Sequence, residues 1–419
     1  MSSNPTQAGP VEAPPEHIAP APRVSIQSFC ETVETAAAVE AAGEDRRLGK
    51  AHLKVQMGGI AAALGAYTDS PTPNVIVIES QSRGKDILGG LDSLAEVCDA
   101  GTRVVVIGSH NDVVLYRELI RRGVSDYLIA PVGTLDVVRA ICGLFCAPDA
   151  KPVGRVIAVV GAKGGVGAST VAHNVGWAIA RDLQLDTVLA DLDLGFGTAG
   201  LDYNQDPPQG LADAVFAPDR VDIAFMDRLL SRCTDHLSLL AAPATLDRVY
   251  DLSTEAFDVI YDSLRASVPC LMLDVPHQWT GWTRRTLIAA DEILIVAEPD
   301  LANLRNTKNL LDVLKAARPN DRRPSYCLNR VGVPKRPEIK PVDFAKAVAD
   351  DPVAVIPFDP QVFGTAANNG QMLGELSPSH RNAETFRQLA QLVTGRAETR
   401  KSKSSLLSPL LEKLMKRSA

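Results

Sequence analysis

The stretch Gly161 to Thr170 reads GAKGGVGAST. Gly164, Gly165 and Gly167, with Val166 between them, can take backbone angles that other residues avoid. Successive N–H groups can then converge on phosphate oxygens. Ser169 stands where the hydroxyl of a G-x-x-x-x-G-K-[ST] loop ligates Mg²⁺, and Thr170 can donate to a phosphate. That loop's lysine reaches the β and γ phosphates, and here its place is taken by Ala168. The chemistry on offer is therefore phosphate holding, with one cation missing from the set that would stabilise phosphoryl transfer.

Acidic residues follow at two further points. Asp191 and Asp193 sit in VLADLDLG, and Asp274 ends the apolar run CLMLDVPH. Carboxylates at the C-terminal ends of strands border the ligand crevice of an open α/β sheet, where they can orient metal-bound or attacking water. Any one of them also suits a helix N-cap or a turn. Convergence of three such strand ends favours the site reading.

These residues need a strand, a Gly-rich turn and a helix in that order. RVIAVV precedes the loop and STVAHNVGWAIARDL follows it. Strand-like runs continue with TVLADLDL, LSLLAAP, CLMLDVP, EILIVAEP, SYCLNRVG and VAVIPFD, mostly separated by helical periods, and a helix is expected near 382–394. An earlier series, VSIQSF, HLKVQM, NVIVIES, TRVVVIG and SDYLIAP, alternates with helices in the same way. Both series predict parallel sheets covered on two faces. The expected organisation is a tail at 1–22, a five-stranded α/β domain at 23–146, a linker at 147–154, a larger doubly wound α/β domain at 155–395, and a basic tail at 396–419.

Four motifs together, KGGVGAST, DLDLGFGTAGLD, LDVP and CLNRVG, resemble the deviant Walker A, Walker A′, Walker B and adenine-side motifs of the MinD/ParA family of P-loop ATPases. The resemblance covers roughly 155–394. It implies ATP and Mg²⁺ as cofactors and a homodimer closed over sandwiched ATP. By position, Lys163 would reach the partner's phosphates and Ser169 would ligate the metal. Asp191 and Asp193 would line the catalytic water and metal side, Asp274 would hold the metal through water, and Asn329 would read adenine. Ala168 departs from the family pattern, so at most slow hydrolysis is expected.

The earlier domain resembles a response-regulator receiver with a flavodoxin-like strand order. Its working residues are not all in place. QSFCET lacks the acidic pair, Glu79 replaces the phosphoacceptor Asp, Ser109 fits the hydroxyl position, and Ala130 replaces the lysine. This predicts a pseudo-receiver that serves as a docking surface. A pseudo-receiver ahead of a deviant ATPase resembles the CpaE/TadZ family, which implies targeting and scaffolding of Tad/Flp-type pilus assembly and secretion machinery. Its partners would be components of that machinery or a polar marker. The competing expectation is an actively hydrolysing positioning or partitioning ATPase that cycles on membrane or DNA.

The bulk composition bounds these readings. The 419 residues are 46% hydrophobic and 22% charged, with a net charge of −7, which disfavours nucleic acid as a partner. Seven scattered cysteines read as thiols in a reducing compartment. With no signal-peptide pattern at the N-terminus, a cytoplasmic protein is expected, and the resemblance places it at a cell pole. From Arg396 onward seven Lys or Arg stand against two Glu, a net of +5. Leu407, Leu410, Leu411 and Leu414 could share one helix side and give peripheral contact with the inner membrane. The same segment equally fits a solvated tail or a helix docked on a partner.

Overall fold

The computed structural model describes residues 17–68, 70–82, 85–146, 153–246 and 248–396. Most of the 1–22 tail, of the 147–154 linker and of the 396–419 tail therefore lies outside the described residues. The chain forms two compact units. One comprises residues up to 153 with 284–289 and 311–323, and the other comprises 154–283, 290–310 and 324 onward.

In the first unit the five expected strands form: β1 (Ser25–Cys30), β2 (His52–Met57), β3 (Val75–Ser80), β4 (Arg103–Gly108) and β5 (Asp126–Ile129). They lie in the order β2-β1-β3-β4-β5, all parallel, which is the flavodoxin-like, receiver-like arrangement. Strand period decides the packing. Val75 and Val77 join a core with Ile26, Val105 and Ile107 on one face, while Ile76 and Ile78 join Phe29 and Val106 on the other. Both faces are thus apolar, and β3 is buried along its whole length.

The second unit contains β6 (Arg155–Gly161), β7 (Thr187–Asp191), β8 (Ser231–Arg232), β9 (Leu237–Leu240), β10 (Cys270–Val275), β11 (Glu292–Ala297), β12 (Ser325–Val331) and β13 (Ala354–Pro357). Their order is β13-β12-β11-β6-β10-β7-β9-β8, a P-loop NTPase-type doubly wound sheet. Seven strands match the expected runs. The eighth, β8, is a two-residue edge strand that pairs antiparallel to β9, too short to leave a periodic signal.

The order reverses around β6, and the loop that follows it opens at this switch point. The helix Ala168–Asp182 then passes beneath the sheet with every residue from Val171 to Ala180 buried. Val171, Val175 and Ile179 pack on Ile157, Leu189 and Met272 from the sheet and on Phe386 and Leu389 from the helix Arg381–Val393. This two-sided burial anchors the helix whose N-terminus faces the loop.

Candidate nucleotide-binding site

The loop is held from outside by its own carbonyls. His277 Nδ1 lies 2.9 Å from Gly161 O, and Asn306 Nδ2 donates to Ala162 O at 2.9 Å. Arg330 Nη1 donates to Gly165 O and Asn329 Nδ2 to Val166 O, each at 2.8 Å. These four side chains come from three segments, one that follows β10, one that leads on from β11, and the end of β12 itself. Gly165 and Gly167 take positive φ, +80° and +83°, which reverse the chain so that it enters the helix. At Gly167 a Cβ would lie only 2.6 Å from Asn329 Nδ2, so space as well as backbone angle demands glycine.

Two cavities meet at this loop. The phosphate side, 380 Å³, is lined by Lys163, Gly164, Gly165, Val166, Gly167, Ala168 and Ser169, together with Asp193 and Asp274. The second, 340 Å³, is lined by Gly167, Thr170, Asn174, Asn329, Pro357, Phe363 and Leu373 among others. Its apolar and aromatic walls with a few polar groups suit a planar base. The sequence-derived residues therefore divide between the two cavities, and Asp191 lines neither.

Asp191 is fully buried and accepts N–H donors from Asp193 at 3.1 Å and Ala199 at 3.0 Å. It faces Asp274 in register across the β7–β10 pair. Burial and the Asp274 charge push its carboxyl up to about 7. Asp193, by contrast, opens into the phosphate cavity and caps the following turn through Phe196 N at 3.0 Å. Asn329 has both ends of its amide engaged, with Val166 O and with Arg330 N. Lys163 is half-exposed, and its Nζ stands 3.8 Å from Asp300 Oδ2.

Ser169, Asp193 and Asp274 share one cavity with the glycine loop, an oxygen donor set that suits a hard divalent cation such as Mg²⁺ beside a phosphate. Two residues here escape sequence reasoning. Arg330 lines both cavities and is steadied by Glu298 at 3.0 Å. It belongs to the quoted CLNRVG, but its reach back to the loop depends on a positive φ of 52° that composition does not reveal. The other is His173, fully buried within the helix. Burial alone would lower its pKa, but Asp202 and Asp274 outweigh that and hold it up at about 10.

In the first unit, the acidic residue of the receiver-like pocket is engaged by its own chain. Glu79, at the end of β3, accepts N–H donors from Glu31 at 2.7 Å and Thr32 at 2.8 Å on one oxygen. Its other oxygen accepts the hydroxyls of Thr32 and Thr35, each at 2.7 Å. These bonds overcome the effect of burial and hold the carboxyl below the usual glutamate range. The carboxylate thus serves as an anionic cap for the helix Val33–Gly43. Ser109 and Ala130 line the same pocket, as their strand positions imply.

No family model matches the chain. A crystal structure of the pilus assembly protein CpaE from Caulobacter crescentus is 46% identical and covers 31% of this chain and 100% of its own, with a TM-score of 0.30. That likeness lies in the N-terminal region. A ParA family ATPase from Chlorobium tepidum is 25% identical over 56% of this chain and 98% of its own, with a TM-score of 0.51. The septum site-determining protein MinD of Bacillus subtilis is 24% identical over 253 residues, 58% of this chain and 90% of that protein.

Proposed function

Since this chain belongs to the CpaE pilus-assembly proteins of the MinD/ParA ATPase family, we propose that it is an ATP-binding, dimerising localisation and scaffold factor for Tad/Flp-type pilus assembly and secretion machinery. It hydrolyses ATP slowly or not at all. The observation that carries this reading is a phosphate loop with four of its carbonyls tied outward, yet which has Ala168 in the lysine's place. Such a loop can bind by backbone amides and a helix N-terminus without the cation that would follow charge onto the leaving phosphate.

Ser169 and Asp274 would hold Mg²⁺, which neutralises phosphate charge when bound. Asp191 and Asp193 would orient water, and Asn329 would meet the base after exchanging one of its present bonds. Lys163 is loosely paired and half-exposed, which suits a lysine that crosses to a second subunit. Phe196 is 75% exposed and Trp279 55%, on segments that adjoin the phosphate cavity through Asp193 and Gln278, and the exposed Leu246 reaches the Gly195 turn beside Phe196. Exposed apolar side chains grouped in this way favour a protein–protein contact.

The front domain acts as a docking surface. Val113, Val114, Tyr116 and Ile120 are exposed on the helix Val113–Arg121, and Ile129 is exposed on the edge strand β5. Among the described residues no helix is long and apolar enough to cross a membrane. Placement in the cytoplasm, at a pole, and against the inner membrane through 396–419 belongs to the same proposal.

Light scattering with and without ATP and Mg²⁺, paired with phosphate release, tests it. An ATP-dependent dimer with phosphate release far below that of a relative carrying the loop lysine is expected. Failure to bind or dimerise removes the switch. Release at the relative's rate favours the cycling ATPase.

A further inference from the structure

Beneath the loop lies a buried cluster in which two carboxylates of the proposed site, Asp191 and Asp274, meet His173, a side chain that nucleotide holding does not use. His173 stands one helical turn past Ser169, on the same helix face. Its Nδ1 is 2.6 Å from Asp202 Oδ2. Its Nε2 is fully buried and makes no hydrogen bond, although it stands 3.2 Å from Asp274 Oδ2. One ligand atom each from His173, Asp191 and Asp274 falls within 4.8 Å of the others.

We propose that His173 Nε2, Asp191 and Asp274 form an inner-sphere site for a divalent first-row transition ion, for which Mn²⁺ is the probe, one turn below Ser169. Ligands about 2.1 Å from a metal lie about 3.0 Å apart in an octahedron and about 3.4 Å apart in a tetrahedron, which brackets the observed 3.2 Å between Nε2 and Asp274. Asp202 completes the pattern, because a carboxylate on the far ring nitrogen keeps the Nδ1 proton in place, and an ion at Nε2 displaces only the second proton, the one that faces Asp274. The oxygens of Asp191 accept one backbone N–H each and keep lone pairs for a metal. Charge points the same way, since three carboxylates share a single imidazole. Asp274 also lines the phosphate cavity, which gives an ion its entry. An imidazole nitrogen in the set disfavours Mg²⁺, which prefers oxygen alone.

The site requires no nucleotide, so its test is separate from that of ATP binding. Full-length chain, stripped with a chelator and free of nucleotide, is titrated with Mn²⁺ and with Mg²⁺. Bound ion is counted, and ¹⁴N couplings are sought in the Mn²⁺ pulsed electron paramagnetic resonance spectrum. We expect one Mn²⁺ per chain, bound at least about tenfold tighter than Mg²⁺, with an imidazole coupling. His173→Gln should abolish the coupling and weaken Mn²⁺ at least about tenfold, and Asp202→Asn should keep the coupling while weakening Mn²⁺ about tenfold. Absence of the nitrogen coupling in the wild-type chain overturns the proposal, whatever the variants do. So does Mn²⁺ affinity that His173→Gln leaves unchanged in a chain whose circular dichroism is native.

Discussion

Replacing Glu79 by Ala removes one carboxylate and strands four donors. Of these, the Thr32 and Thr35 hydroxyls can turn to each other, since their oxygens are already 3.0 Å apart. The N–H groups of Glu31 and Thr32 have no such alternative at a helix N-terminus. Each hydrogen bond to a charged group is worth about 1.5–3 kcal/mol, and water entering the adjoining pocket returns part of that. A net loss of about 3 kcal/mol is expected for the first unit, and a smaller one for Glu79→Gln, which keeps one acceptor. Amide exchange at Glu31 and Thr32 should then quicken by about a hundredfold. The tryptophans, Trp177, Trp279 and Trp282, all lie in the second unit, so their fluorescence serves as an internal control. Because the folded pKa of Glu79 lies below its usual 4.5, this stability is present above pH 4.5 and fades as pH falls through the folded value. The alanine variant should lack that acid-sensitive component. Unchanged protection of the two amides, or a tryptophan transition that shifts equally, would refute the reasoning.

Three further outcomes concern the second unit. Ala168→Lys places an ammonium near the phosphates, where about 4 kcal/mol of gross attraction, less desolvation and roughly 2 kcal/mol of side-chain entropy, should tighten ATP about tenfold in a fluorescent-nucleotide titration. Arg330→Ala frees Gly165 O and one oxygen of Glu298, whose other oxygen stays with Arg336, and should weaken nucleotide about tenfold in the same titration, with an unchanged melting temperature. Gly167→Ala meets Asn329 at 2.6 Å with φ at +83°, a cost of about 1–3 kcal/mol that should lower the melting temperature by several degrees and remove nucleotide binding.

The strands and the loop were legible because their signals are local: a β-branched run, a cluster of glycines, then a helical period. What escaped depends on the third dimension. Nothing adjacent in the chain announces that Glu79 will be consumed by the turn after β1, because those residues meet only once β1 and β3 pair. His173 reads as one polar residue in an apolar helix until Asp202 and Asp274 are brought to its two ring nitrogens. The wall of the second cavity comes largely from residues 357–373, a segment read from the sequence only as the end of a late strand. Asp191 and Asp193 look equivalent at a spacing of two, and the fold separates them, one buried at the end of β7 beside Asp274 and one open to the cavity.

A cradle tied from outside before any ligand arrives has a kinetic signature. The four tied carbonyls need not be ordered during the encounter, so less of the binding energy goes into shaping the site, and the lifetime of a complex is set chiefly by how fast the ligand escapes. On the function proposed above, such a protein would keep time by residence rather than by turnover: the interval for which it stays engaged would be written into a dissociation rate, and whatever loosens the four outer ties would shorten it.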